Sequence, residues 1–170
     1  RSVATDVETG ARVEIGRGSL ADAMRASFSA PGLLAPHQLD GRLLVDGGTC
    51  APDPAETVRS MGADVVIAVN VLPALDPATR NPLDAALGGG DWINPLSYVG
   101  RRRPLPNGQE VAVKTWLIMQ RELANARAGE ADVLISPSLG AFWAFDFWNA
   151  QAMVTAGVAA AEAALPAVHE

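Results

Sequence analysis

The run Ala63-Asp64-Val65-Val66-Ile67-Ala68-Val69-Asn70-Val71 constrains the fold more than any other stretch of the chain. It is almost wholly apolar and rich in β-branched residues, the pattern of a central strand in a parallel sheet covered on both faces. Ala131-Asp132-Val133-Leu134-Ile135-Ser136, closed by Pro137, repeats the pattern. Helical segments stand between and after these runs. Alternating strands and helices imply an α/β layer fold.

The helix signals are local. Ser19 reads as an N-cap, with Asp22 at N3 as a variant capping-box acid, and Leu20, Ala23, Met24 and Ser27 share one face. Asp53 reads as a second cap, Pro54 fits the first helical position, Glu56 completes the box and Gly62 stops the helix. Val111 to about Ala128 reads as a helix with Trp116, Met119, Leu123 and Ala126 on one face. A last helix is expected from Phe147 to about Leu165, capped by Asp146 and closed by Pro166. At the start, Ser2–Val7 and Ala11–Ile15 read as a hairpin around Glu8-Thr9-Gly10. Gly41–Val45 is a short strand, and Pro31-Gly32 and Pro36 mark the loop before it. From Leu72 to about Pro106 the pattern weakens under six prolines and the run Gly88-Gly89-Gly90.

Composition excludes several function classes. Apolar residues make up 49% and charged residues 19% of the 170, which is the balance of a folded chain. The net charge of −6 argues against a nucleic-acid binder working by phosphate neutralisation. One cysteine forbids an intrachain disulfide, and two histidines leave little room for a His-based metal centre. No apolar run reaches the roughly 18–20 residues of a membrane span. The first residues show no signal-peptide pattern.

The most informative site is Asp46-Gly47-Gly48. Asp46 falls at the carboxyl end of a strand, where ligands sit in open α/β sheets. The glycines behind it allow a sharp turn and close approach of backbone to another group. On these three residues alone a plain strand-end turn is the favoured reading, because Asp-Gly is a common turn dipeptide.

The wider succession changes that weighing. It runs Gly18-Ser19-Leu20, Arg25–Gly32, Asp40–Gly48, Pro52-Asp53-Pro54 and Met61–Val69. Ala131–Pro137, Phe145-Asp146-Phe147 and Gly157–Ala161 follow. In this order the blocks closely resemble the second half of the patatin-like phospholipases, the bacterial relatives of neuropathy target esterase. The resemblance covers nearly the whole chain outside Leu72–Pro106. It implies a patatin-type three-layer α/β/α fold with a mainly parallel sheet, of which residues 1–170 are the C-terminal portion. It also implies hydrolysis of lipid carboxylic esters, phospholipid or lysophospholipid, by a Ser–Asp dyad. Asp46 would be the proton acceptor, on a supporting loop of Gly47 and Gly48, with no metal or organic cofactor. A hydroxyl is a weak nucleophile at neutral pH and needs such a hydrogen-bonded base.

The nucleophile is not legible in these residues. Among Ser2, Ser19, Ser27, Ser29, Ser60, Ser97, Ser136 and Ser138, none has glycine at both −2 and +2, as a nucleophile elbow requires. Ser138 comes nearest, with Gly140 at +2 but Ser136 at −2. The expectation is that the nucleophile and the Gly-rich oxyanion loop belong to an N-terminal portion, on the same polypeptide or another chain. An alternative is a catalytically inactive fragment or protein-interaction module, since an unpaired sheet edge invites another chain. A third reading, a metal site of Asp46, Asp53 and Asp64, is weak, because Asp53 reads better as a cap and Asp64 as a strand opener.

The remaining candidates are bland. His37 follows Pro36 in a loop and reads as surface or pocket rim, and His169 lies in a tail. Cys50 reads as packing. Gly16-Arg17-Gly18-Ser19 lacks the lysine of a P-loop. Phe142, Trp143, Phe145, Phe147 and Trp148 read as core around the last helix start, with a lipid-docking surface as the other reading. Arg101-Arg102-Arg103 reads as a solvated loop, or else as a contact for anionic head groups. The partners implied are a lipid ester substrate and a peripheral membrane contact, with no nucleic acid. A bacterial cytoplasmic or membrane-associated location fits these signals.

Overall fold

The computed structural model describes residues 1–72, 108–139 and 147–168. The chain opens with β1 (Ser2–Asp6) and β2 (Arg12–Ile15), the expected hairpin, paired antiparallel from Ser2↔Ile15 to Thr5↔Arg12. Its turn is closed by the Asp6 carboxylate, which accepts from the backbone N–H of Glu8 at 3.0 Å and Thr9 at 3.2 Å.

Helix α1 (Leu20–Ser27) starts where expected, with the Ser19 hydroxyl accepting from the Asp22 N–H at 3.3 Å. Its buried face differs from expectation. Ala23 and Ala26 are buried, whereas Leu20 and Met24 are exposed. The small side chains let the helix lie close on the sheet, and Ala26 joins Ala4 and Leu44 in a core flanked by Val13, Ile15 and Leu39.

Strand β3 (His37–Leu39) occupies what reads in sequence as loop, and it pairs antiparallel with β4 (Arg42–Asp46). Asp40 and Gly41, both at positive φ (50° and 76°), form the two-residue turn between them. That geometry matches the right-handed twist of hairpin strands. β4 also pairs antiparallel with β1, giving the order β2-β1-β4-β3. His37 is therefore a strand residue, with Nε2 3.2 Å from Asp22 Oδ1.

Helix α2 (Ala55–Ser60) begins one residue later than the sequence suggests. Pro54 sits at the cap position with no side-chain cap bond, and Gly62 (φ 93°) ends the helix. Asp53 is thus not a cap but a nearly buried carboxyl. Its affinity for protons is raised by burial and then by the Glu130 charge.

β5 (Ile67–Val69) and β6 (Val133–Ile135) pair parallel, as the two apolar runs suggest. The α/β class holds, with this as the parallel element. Among the described strands the other pairings, including those around Asp46, are antiparallel. Val66 and Ala68 are buried, whereas Ile67 and Val69 are exposed, so β5 is covered on one face and not on both.

Helix α3 (Gly108–Arg127) is the long helix expected near Val111–Ala128. Its buried positions are Val113, Gln120 and Ala124, with Met119 exposed, so the inward face is rotated from the one expected. Helix α4 (Ala150–Val168) packs on β6. It runs through Pro166 and does not stop before it. Contrary to the expectation that no apolar run reaches span length, its 19 residues are long and apolar enough to cross a membrane by length and composition, because scattered polar residues interrupt the run without ending the helix. The expected Asp146 cap lies outside the described residues, as do Phe142, Trp143, Phe145, Arg101–Arg103, Gly88–Gly90 and His169. Trp148 is 90% exposed, which does not fit a core role.

Candidate functional site

Asp46 ends β4, and the chain then turns at once into a 3₁₀ turn, Gly47–Thr49. The Asp46 carboxylate caps this turn through Oδ1, which accepts from the Gly48 N–H at 2.7 Å. Its backbone N–H donates to the Ser29 carbonyl at 3.0 Å, and its carbonyl accepts from the Thr5 hydroxyl at 3.0 Å. The residue is therefore held from both neighbouring segments, β1 and the loop after α1. Oδ2 has no hydrogen-bond partner among the described residues.

Both glycines stand in tight surroundings. A Cβ on Gly47 would run into the Val3 carbonyl. A Cβ on Gly48 would stand 3.0 Å from Asp46 Oδ1 and closer still to the Gln120 amide nitrogen. Only hydrogen at these two positions lets the turn lie this close to β1 and α3.

Helix α3 crosses this turn with three polar side chains. The Trp116 indole N–H donates to Thr49 Oγ1 at 3.1 Å, Gln120 lies against Gly48, and Arg127 donates to the Cys50 carbonyl at 3.2 Å. Of these, the sequence marks Trp116 only as a helix-face residue, and it marks neither Gln120 nor Arg127. The signal was helical spacing, because Val113, Trp116, Gln120, Ala124 and Arg127 fall on one face at intervals of three and four. Cys50 is partly buried, and its Sγ lies 3.1 Å from the Thr5 hydroxyl, in keeping with packing.

Burial pushes the Asp46 carboxyl above the ordinary carboxylate range, and the Gly48 hydrogen bond offsets part of this. A half-buried carboxylate with one oxygen fixed and the other free is suited to taking a proton from a neighbouring hydroxyl. The remaining sequence candidates do not gather here. Among the described residues no three His, Cys, Asp or Glu side chains are grouped to hold a metal ion, so Asp46, Asp53 and Asp64 do not form a site. Ser138 is exposed on the segment after β6.

Comparison with known proteins bears on this turn. The family model described as patatin-like phospholipase matches residues 2–59, a stretch that contains Asp46 and both glycines. An NTE family protein of Mycobacterium tuberculosis is 47% identical over 70 residues, covering 41% of this chain and 19% of that protein. A second NTE family protein of the same organism is 28% identical over 166 residues, covering 98% of this chain and 28% of the relative. Lysophospholipase NTE1 of Yarrowia lipolytica is 30% identical over 125 residues, 73% of this chain and 9% of that protein. The chain thus spans less than a third of the length of these relatives. By the family match over its first strands and the Asp46 turn, together with these relatives, the chain is similar to the patatin-like phospholipases of the NTE type.

Proposed function

We propose that the chain contributes the base of a patatin-type serine hydrolase acting on lipid carboxylic esters, phospholipid or lysophospholipid. The observation that carries this reading is the Asp46 carboxylate. It is pinned through Oδ1 to Gly48, open at Oδ2 and made more proton-avid by burial. Asp46 would take the hydroxyl proton of a serine as that oxygen attacks the ester carbonyl, and would return it to the leaving alcohol as the C–O bond breaks and the acyl-serine forms. Water would then attack the acyl-serine, giving a proton to Asp46, which passes it to the serine oxygen as the fatty acid leaves. A dyad lacks the third, orienting residue of a triad, so the pinning by Gly48 takes over that orienting role. The nucleophile and the oxyanion donors would come from a segment outside these 170 residues. The printed name of the Yarrowia relative, a lysophospholipase, supports the substrate class.

The test uses the full-length protein and a lysophospholipid substrate. Asp46→Asn is expected to abolish fatty-acid release while the protein keeps its far-UV circular dichroism. Hydrolysis retained in that variant overturns the assignment.

A second reading is an interaction module with no turnover of its own. The exposure of Ile67 at 48% and Val69 at 54%, on the β5–β6 pair, favours it. An ester assay on the full-length protein separates the two, since this reading requires no release even there, whereas the hydrolase reading requires release that Asp46→Asn abolishes.

A further inference from the structure

We propose that Gln120 is a positioning residue for the Asp46 carboxylate, its side-chain amide donating to that group when the base is charged. The proposal deepens the reading of Asp46 as base and rests on it.

Gln120 is an anomaly on α3. It occupies the middle of the buried stripe, between Val113 and Ala124, and is only 5% exposed. An amide placed in such a stripe is costly unless it is hydrogen-bonded, and an apolar residue would fill the position without that cost. Its amide nitrogen lies against Gly48. The space it enters is the one left open by the absent side chain of Gly48, and Asp46 Oδ1 borders the same point at 3.0 Å. The described residues therefore place one carboxylate, and the amide of one buried glutamine, on the same side of one glycine.

The chemistry of the two groups is complementary. Oδ1 already accepts from Gly48, and Oδ2 accepts from no described residue. A glutamine offers two N–H donors and carries no charge, so it steadies a carboxylate without neutralising it. A lysine or arginine there would hold the carboxylate ionised and weaken it as a base. Trp116 and Arg127, one turn before and two turns after, anchor α3 to Thr49 and Cys50 and set how far the amide reaches.

The test follows the Asp46 proton in the full-length protein labelled with ¹³C at aspartate side-chain carboxyls, the signal being assigned by its loss in Asp46→Asn. Gln120→Leu removes the donors at nearly constant length. It is expected to move the Asp46 midpoint upward by about one pH unit, a tenfold change in proton affinity. Gln120→Glu is expected to move it further, because a second carboxylate disfavours ionisation of the first. The acid limb of kcat/KM for ester hydrolysis is expected to move by the same interval. A folded Gln120→Leu protein with an unmoved midpoint overturns the proposal. Should that variant fail to fold, the wild type decides, since the Gln120 side-chain ¹⁵N resonance must follow the Asp46 titration, and a flat response overturns it. A moved midpoint in a protein that hydrolyses no lipid ester removes the base reading and leaves Gln120 at the carboxylate. An unmoved midpoint in an active enzyme removes Gln120 alone.

Discussion

The Val3 carbonyl occupies the place that the first side-chain carbon of residue 47 would need, so β1 and the turn after Asp46 are in contact through backbone alone. Gly47→Ala cannot be relieved by a rotamer change, because the obstacle is main chain. Over-packing of this kind costs roughly 1–3 kcal/mol or more. At Gly48 the obstacle is the Gln120 side chain and one Asp46 oxygen, which can move. Gly47→Ala is therefore expected to lower the urea midpoint more than Gly48→Ala. In addition, Gln120→Ala is expected to recover part of the Gly48→Ala loss in a double-mutant cycle. Equal losses at the two glycines would contradict the geometry.

The Asp46 carboxyl holds its proton more tightly in the folded state than its ordinary 3.8, chiefly through burial. A group of this kind weakens the fold as pH rises from that value through the raised folded value, and the weakening is complete above it. Asp46→Asn keeps an oxygen for the Gly48 N–H and removes the buried charge. The variant is expected to melt above wild type at pH 7, with the difference shrinking as pH falls toward 4. A residue that costs stability while serving chemistry is a common trade. Thermal melts at the two pH values check this, and a difference that does not change with pH counts against a strained carboxylate.

Much of this site is legible in sequence, and the parts that are not have physical reasons. The Asp46 turn, the hairpin, the Ser19 cap and the two apolar strands follow from local chemistry, which requires only neighbouring residues. β3 is not legible although Asp40-Gly41 marks a hairpin turn, because three residues after a proline are too few to show alternation. The faces of α1 and α3 were misplaced for a different reason. Hydrophobicity favours burying Leu20, Met24 and Met119, but close approach to the sheet and to the turn favours alanine and a single amide. Which demand wins depends on how near the partner backbone lies, and that is a tertiary fact. Asp53 shows the same limit, since Asp-Pro-Ala-Glu fits a cap by spelling alone while its carboxyl is buried within reach of the Glu130 charge.

The two helix starts predict opposite responses to alanine or amide substitution. Ser19 makes the cap bond of α1, so Ser19→Ala is expected to cost about 1 kcal/mol. Asp53 makes none for α2, and its raised proton affinity means the ionised form is disfavoured in the folded state. Asp53→Asn is thus expected to leave α2 intact and to raise the melting temperature at pH 7, an advantage that fades toward pH 4. Chemical denaturation of both variants checks the contrast. Loss of stability in Asp53→Asn at pH 7 would restore the cap reading.

Asp132 links the parallel pair to α2 and carries the reverse pH dependence. Its Oδ2 accepts from the Val66 N–H at 2.7 Å and from Arg59 at 2.7 Å. The backbone bond is the larger cause holding its carboxyl below the ordinary value, with the Arg59 hydrogen bond next. A lowered folded value contributes stability that is fully present above the ordinary 3.8 and is lost as pH falls through the folded value. Asp132→Ala is therefore expected to lower the melting temperature at pH 7 and to approach wild type in acid. Arg59→Gln is expected to lower it less, because the Val66 N–H keeps its acceptor. Because a directional hydrogen bond leads and the exposed ion pair follows, raising salt should remove little of the Asp132 effect and more of the Arg59 effect. Melts of the two variants at low and high salt and at two pH values test all three statements. An Arg59→Gln loss as large as that of Asp132→Ala would show the ion pair, and not the backbone bond, to be what joins α2 to β5.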